Sequence, residues 1–117
     1  MSESGQTWRR EFQAHPAEAR QVREWVDTRL GHPDAPQVAN ELFVSVLASG
    51  TETVLMTLST AGSRARVTAA GSVELKLHHS HGPGFFIVHG LSTLSGLNTD
   101  GRGLWAQLDS KTEGTEQ

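Results

Sequence analysis

The chain contains no cysteine, which excludes disulfides and thiolate metal centres. It has no apolar run near the roughly 18–20 residues a helix needs to cross a bilayer. Its polar opening, MSESGQ, does not resemble a secretory signal, so a cytoplasmic location is expected. Clustered positive charge is missing as well. The formal net charge is -3, and only the segment carrying Arg20, Arg23 and Arg29 leans basic, offset by Glu18, Glu24 and Asp27. Nucleic-acid binders usually concentrate basic side chains on one surface, where they displace counterions from phosphates. Neither nucleic acid nor a membrane is therefore expected as a partner.

What is present suits one domain: 117 residues supply one core but not two. The ends, 1–6 and 110–117, are small and polar and cannot repay the entropy of ordering. They are expected to be disordered tails around a folding unit at 7–109. TWRREF (7–12) reads as a strand with Trp8 and Phe12 on one side. A helix comes next, with Pro16 in its first turn, Val22, Trp25, Val26 and Leu30 as its apolar stripe, and Gly31 and Pro33 closing it. The second helix, 36–50, is apolar over most of its circumference, through Val38, Ala39, Leu42, Phe43, Val44, Val46 and Leu47. Its polar residues Gln37, Glu41, Ser45 and Ser49 recur every four positions beside Asn40, a narrow wet stripe. A carboxylate there must face solvent, a partner or a pocket, because burying it unpaired is too costly.

Strands are expected at 53–59, 64–69 and 72–77, with Ala61-Gly62-Ser63 as a tight hairpin between the first two. The joint HSHGPG then opens a helix in which Ile87, Leu91 and Leu94 share a face. An Asp-Gly turn leads to a last strand through Leu104, Ala106 and Leu108. The order β-α-α-β-β-β-α-β implies an α+β, two-layer sandwich: a mixed, mostly antiparallel sheet with its helices on one face.

Several chemistries are weighed against these segments. His78, His79 and His81 are of a ligand type, but no carboxylate or cysteine stands close by in sequence, and solvated loop histidines are the simpler reading; no metal site is expected. The strand-glycine-helix order at 73–94 lacks the third glycine of a dinucleotide fingerprint, where Ile87 stands. A Lys-Ser or Lys-Thr after the glycines, as in a Walker A loop, is absent, and so is a Gly-x-Ser-x-Gly elbow.

Four stretches in order, WRREFQAHPAEARQVREWV, VANELFVSVLASG, GPGFFIVHGLSTL and GRGLWAQLD, resemble the small ATP-binding domains of anti-sigma-factor serine kinases. These belong to the histidine-kinase-like (GHKL) ATPases, and the resemblance covers about Trp8 to Leu108. It implies the histidine-kinase-like ATPase fold. In that family the second helix carries Glu-x-x-x-Asn: the carboxylate orients or deprotonates the attacking group and the amide oxygen holds magnesium. Glu41 matches the first position, but Ser45 stands at the second. The family's Asp-x-Gly-x-Gly box, whose aspartate accepts a hydrogen bond from adenine, corresponds to Ala69-Ala70-Gly71-Ser72-Val73. Without an acceptor at Ala69, adenine loses about 1–3 kcal/mol, one to two orders of magnitude in affinity. The Gly-x-Gly turn persists as Gly82-Pro83-Gly84 before a helix, where amides can cradle phosphate or the glycines simply make the turn. Between the glycine boxes the family has a mobile lid; here Ser72 to His81 intervene, and the alternation of SVELKL places them in the sheet.

The expectation is a degenerate member: a cytoplasmic regulatory module acting through a sigma factor, an anti-sigma-factor antagonist or self-association, with helix one and the first strand as contact surfaces. No catalytic residue, bound cofactor or metal is expected, and Glu41, Ser45, Ala69, Gly71, Gly82 and Gly84 would be vestiges of an ATP site. Two alternatives stay open. One is a divergent serine/threonine kinase that binds ATP with magnesium through those residues, Glu41 acting catalytically. The other is an apolar hollow between helix two and the sheet that takes another small molecule.

Overall fold

Apolar spacing decides which side of each segment is buried. The computed structural model describes residues 5–76 and 83–109. His78, His79, His81 and Gly82 lie outside the described residues, as do residues 1–4 of the tail expected at 1–6 and the whole of that expected at 110–117. Strand β1 (Gln6–Gln13) buries Phe12 with Trp8 half-buried on the same side, and it already includes Gln6, which the composition placed in the tail. A 3-10 turn at Pro16–Glu18 is capped by the His15 Nδ1, which accepts the Ala17 N–H at 3.0 Å. It runs into α1 (Ala19–Arg29), where Val22, Trp25 and Val26 form the buried stripe, continued by Leu30. The exposed face of α1 carries the Arg20–Glu24 ion pair, whose solvation limits it to a few tenths of a kcal/mol.

Helix α2 (Ala35–Leu47) buries Ala35, Val38, Ala39, Leu42, Phe43 and Val46. This broad arc packs on α1, on the sheet and on α3 (Pro83–Leu91). Val44, grouped with that apolar set from sequence, is exposed instead. Phe12 stands edge-on to both Trp25 and Phe43, with centroids 5.7 and 6.2 Å away, so one aromatic cluster ties β1 to both helices. Such pairs add about 0.5–1.5 kcal/mol beyond their burial.

The sheet also contains β2 (Thr53–Ala61), β3 (Arg64–Ala70), β4 (Leu94–Leu97) and β5 (Gly103–Asp109), in the spatial order β1-β2-β3-β5-β4. Period-two alternation turns Val54, Met56, Leu58, Val67, Ala69, Leu104, Ala106 and Leu108 into the core. The two-residue connection Gly62-Ser63 has Gly62 at φ 62°, the glycine-first pattern of a type II′ hairpin. Among the described residues the architecture is thus α+β, with five antiparallel strands and three α-helices packed on one face.

Three expectations need correction. Every neighbouring strand pair is antiparallel, so the sheet is not mixed. The alternation of SVELKL does not make a strand over 72–76, because β3 already pairs with β5 on the side where another strand would add. Leu94 leaves the helix: α3 ends at Leu91, and Leu94 opens β4 with its side chain exposed.

Phe43→Ala is expected to lower unfolding stability by about 3–5 kcal/mol, since Phe43 is fully buried. Leu55→Ala, on the open face of β2, should cost less than about 1 kcal/mol. Urea unfolding of both variants checks the layer assignment; equal losses would refute it.

Candidate functional site

The wet stripe of α2 has a definite destination. Asn40 points its carbonyl oxygen at Arg23 of α1, which donates to it at 2.7 Å, and turns its amide to Glu41 Oε2 at 3.3 Å. Gln37, one turn back, donates to the same oxygen at 2.8 Å. Two side chains of α2 therefore donate to one carboxylate oxygen, and Arg23 of α1 holds one of those two in place. The other, Oε1, faces the first turn of α3, where a Cβ built on Gly84 would come within 2.7 Å of it and 3.3 Å of Glu41 Cβ. A helix amino end carries unsatisfied N–H groups and a partial positive charge. Glu41 sets its negative charge against that end.

Beyond Gly84 the layers part. A cavity of about 420 Å³ opens between α2, α3 and the β4–β5 pair, walled by Leu42, Phe85, Val88, Leu97 and Leu104. Ser45 of α2 and Ser95 of β4 line it from opposite sides, and Leu75 and Lys76 from the preceding loop. Ser95 faces inward because its register partner, Ala106, is buried on the helix side.

Of the residues singled out from sequence, Glu41, Ser45 and Gly84 gather here. Ala69 is fully buried against the helices and pairs with Leu104, which forms the cavity wall. Its methyl keeps that position apolar. Gly71 serves the fold: a Cβ there would approach the buried Thr51 side chain to 2.8–3.0 Å. Thr51 Oγ1 accepts the Ser72 N–H at 3.0 Å and donates to the Thr53 carbonyl. The stretch expected to be strand is pinned to the β4–β5 turn by Gly71 N–H to the Arg102 carbonyl (2.9 Å) and Leu75 N–H to the Gly101 carbonyl (2.7 Å).

Ser95 and Leu97 were not legible as site residues, because the sequence ends the helix at Leu94 and assigns 95–97 to no element, whereas pairing with β5 makes Leu94–Leu97 a strand. Phe85 reads from sequence only as the start of that helix. The hidden signal is Gly96. Its missing side chain admits the Trp105 indole, to which an added Cβ would come within 3.1 Å, and the Arg66 guanidinium covers that ring at 4.2 Å. A strand glycine sheltered by a cross-strand aromatic is a recognised sheet device.

Among the described residues, no group of three or more histidines or carboxylates is arranged to hold a metal ion, and no helix is long and apolar enough to cross a membrane. No model of a known protein family matches the chain, and no curated protein matches it significantly.

The contact between Glu41 and Gly84 predicts a specific non-additivity. Alanine favours helix over glycine by up to about 1 kcal/mol, yet Gly84→Ala should yield none of that while Glu41 is present. In a Glu41→Ala background the gain should appear, giving a coupling of at least about 0.5 kcal/mol. Urea unfolding of the four proteins measures it, and additivity within about 0.3 kcal/mol would disprove the contact.

Proposed function

We propose that this chain is a cytoplasmic, regulatory protein-binding module of the anti-sigma-factor kinase type, built on a histidine-kinase-like scaffold, in which efficient ATP binding and phosphoryl transfer have been lost. The observation that carries the reading is the seat of Glu41 against Gly84. A phosphate brought to the first turn of α3 would meet that carboxylate at close range, and the magnesium that would screen the two charges lacks the family's amide ligand, with Ser45 in its place. Two like charges about 4 Å apart near a protein surface repel by about 4 kcal/mol, enough to cancel the attraction of a helix amino end.

Two further features support it. Ala69 offers no acceptor where the resemblance implies the adenine contact, and its setting between Met56 and Leu104 is apolar. Of the segment that would have to close over a triphosphate, the described part, 72–76, is tied to the β4–β5 turn by the Leu75 N–H, which donates to the Gly101 carbonyl.

A binding module needs a contact surface. The exposed face of α1 is a charged pair in water, whereas α3 presents Phe86, 73% exposed, together with Ile87. Exposed aromatic side chains are enriched in protein interfaces. The partner class is the one the resemblance implies: a sigma factor, an anti-sigma-factor antagonist, or a second copy.

Calorimetric titration with magnesium-ATP to millimolar concentration is expected to give no saturable heat. Pairwise mixing with the sigma factors and antagonists encoded in the same genome should yield one complex by size-exclusion chromatography, insensitive to ATP and weakened at least about tenfold by Phe86→Ser. Saturable magnesium-ATP binding with phosphate transfer to a serine of the partner would replace this reading with the kinase one.

A further inference from the structure

We propose that the cavity between α2, α3 and the β4–β5 pair is a binding site for an uncharged, largely apolar small molecule that carries a hydrogen-bonding group. This stands independently of the partner reading.

Volume and lining set the class. About 420 Å³ lies toward the lower end of the range for small-molecule sites, roughly 300–1,000 Å³. The walls are two leucines from the sheet, Leu97 and Leu104, facing Leu42, Phe85 and Val88 from the helices. Leu97 is half-exposed, so its apolar surface meets water unless something fills the space. Covering such surface contributes about 25 cal/mol per Å².

Polarity sets orientation. Small-molecule sites are mostly apolar with a few placed polar groups, and this one has hydroxyls on facing walls, Ser45 from α2 and Ser95 from β4. Neither hydroxyl hydrogen-bonds to another described residue, so both can serve a ligand, each as donor and acceptor. Lys76 also lines the cavity but is already engaged in an interaction of its own. An anionic group entering from α3 would meet Glu41 at Gly84. An uncharged molecule avoids both the repulsion and the cost of burying an unpaired charge.

The test uses the full chain and the uncharged fluorescent dye N-phenyl-1-naphthylamine. Saturable one-site binding in the micromolar range is expected, unaffected by millimolar magnesium-ATP. Ser95→Leu, which fills the cavity from β4, should weaken binding at least tenfold, and Ser45→Leu should do the same from α2. Leu94→Ser, on the opposite face of β4, should leave it unchanged. Thermal melting establishes that each variant is folded. In the wild-type chain, which needs no substitution, the methyl resonances of Leu42, Val88 and Leu104 should shift along the same saturation curve. The proposal is overturned by absence of saturation, by displacement with magnesium-ATP, by dye-induced shifts confined to other methyls, or by folded Ser95→Leu and Ser45→Leu proteins that bind as the wild type does.

Discussion

A carboxylate on the most enclosed helix of a small protein constrains everything around it. Glu41 sits on α2, whose other faces are given over to the sheet and to two neighbouring helices. It is only partly buried there, yet it is well furnished with donors. The chain answers with Gln37 and Asn40 on one oxygen, Arg23 behind Asn40, and the first turn of α3 against the other. Two of these groups lie on α2 itself, and the network reaches α1 through Asn40 and α3 through Gly84, so Glu41 lies where the three helices meet. Gly84 matters for the same reason, since a side chain there would separate α3 from the carboxylate.

The glycines that invite a nucleotide reading divide according to what they touch. Gly71 makes room for Thr51, which anchors the turn out of β3. Gly103 lets β5 approach β3 so closely that a Cβ would fall 2.6 Å from the Ala69 carbonyl oxygen. Gly101 takes φ 73° in the β4–β5 turn, where the Asp100 side chain accepts the Arg102 N–H. Gly84 alone among these borders the cavity. A glycine-rich pattern that looks like one pocket is therefore mostly the hardware of a closely packed sheet and its turns.

Packing of this kind divides the interior in two. Toward α1 the core is dry and aromatic, with Phe12, Trp25 and Phe43 in edge contact. Toward α3 the layers diverge over β4 and β5, leaving a hollow that the described side chains line. Leu104 supplies part of its apolar wall, and the residue paired with it across the strands is the buried Ala69.

The sequence by itself determined the α+β class, β1, α1, α2, the Gly62-Ser63 hairpin and β5, because each rests on a local period or a local turn that needs no distant partner. It also marked Glu41 as a group requiring company, since only its neighbours on α2 were visible. Tertiary structure decided the rest. SVELKL alternates like a strand, but its described part, 72–76, finds no strand edge free beside β3, and LSGL becomes strand only because β5 lies next to it. The partner of Glu41 across the layer and the cavity beyond Gly84 depend on how α3 docks, which involves residues more than forty positions apart along the chain. Periodicity reports which side of an element is apolar; only packing reports what that side meets.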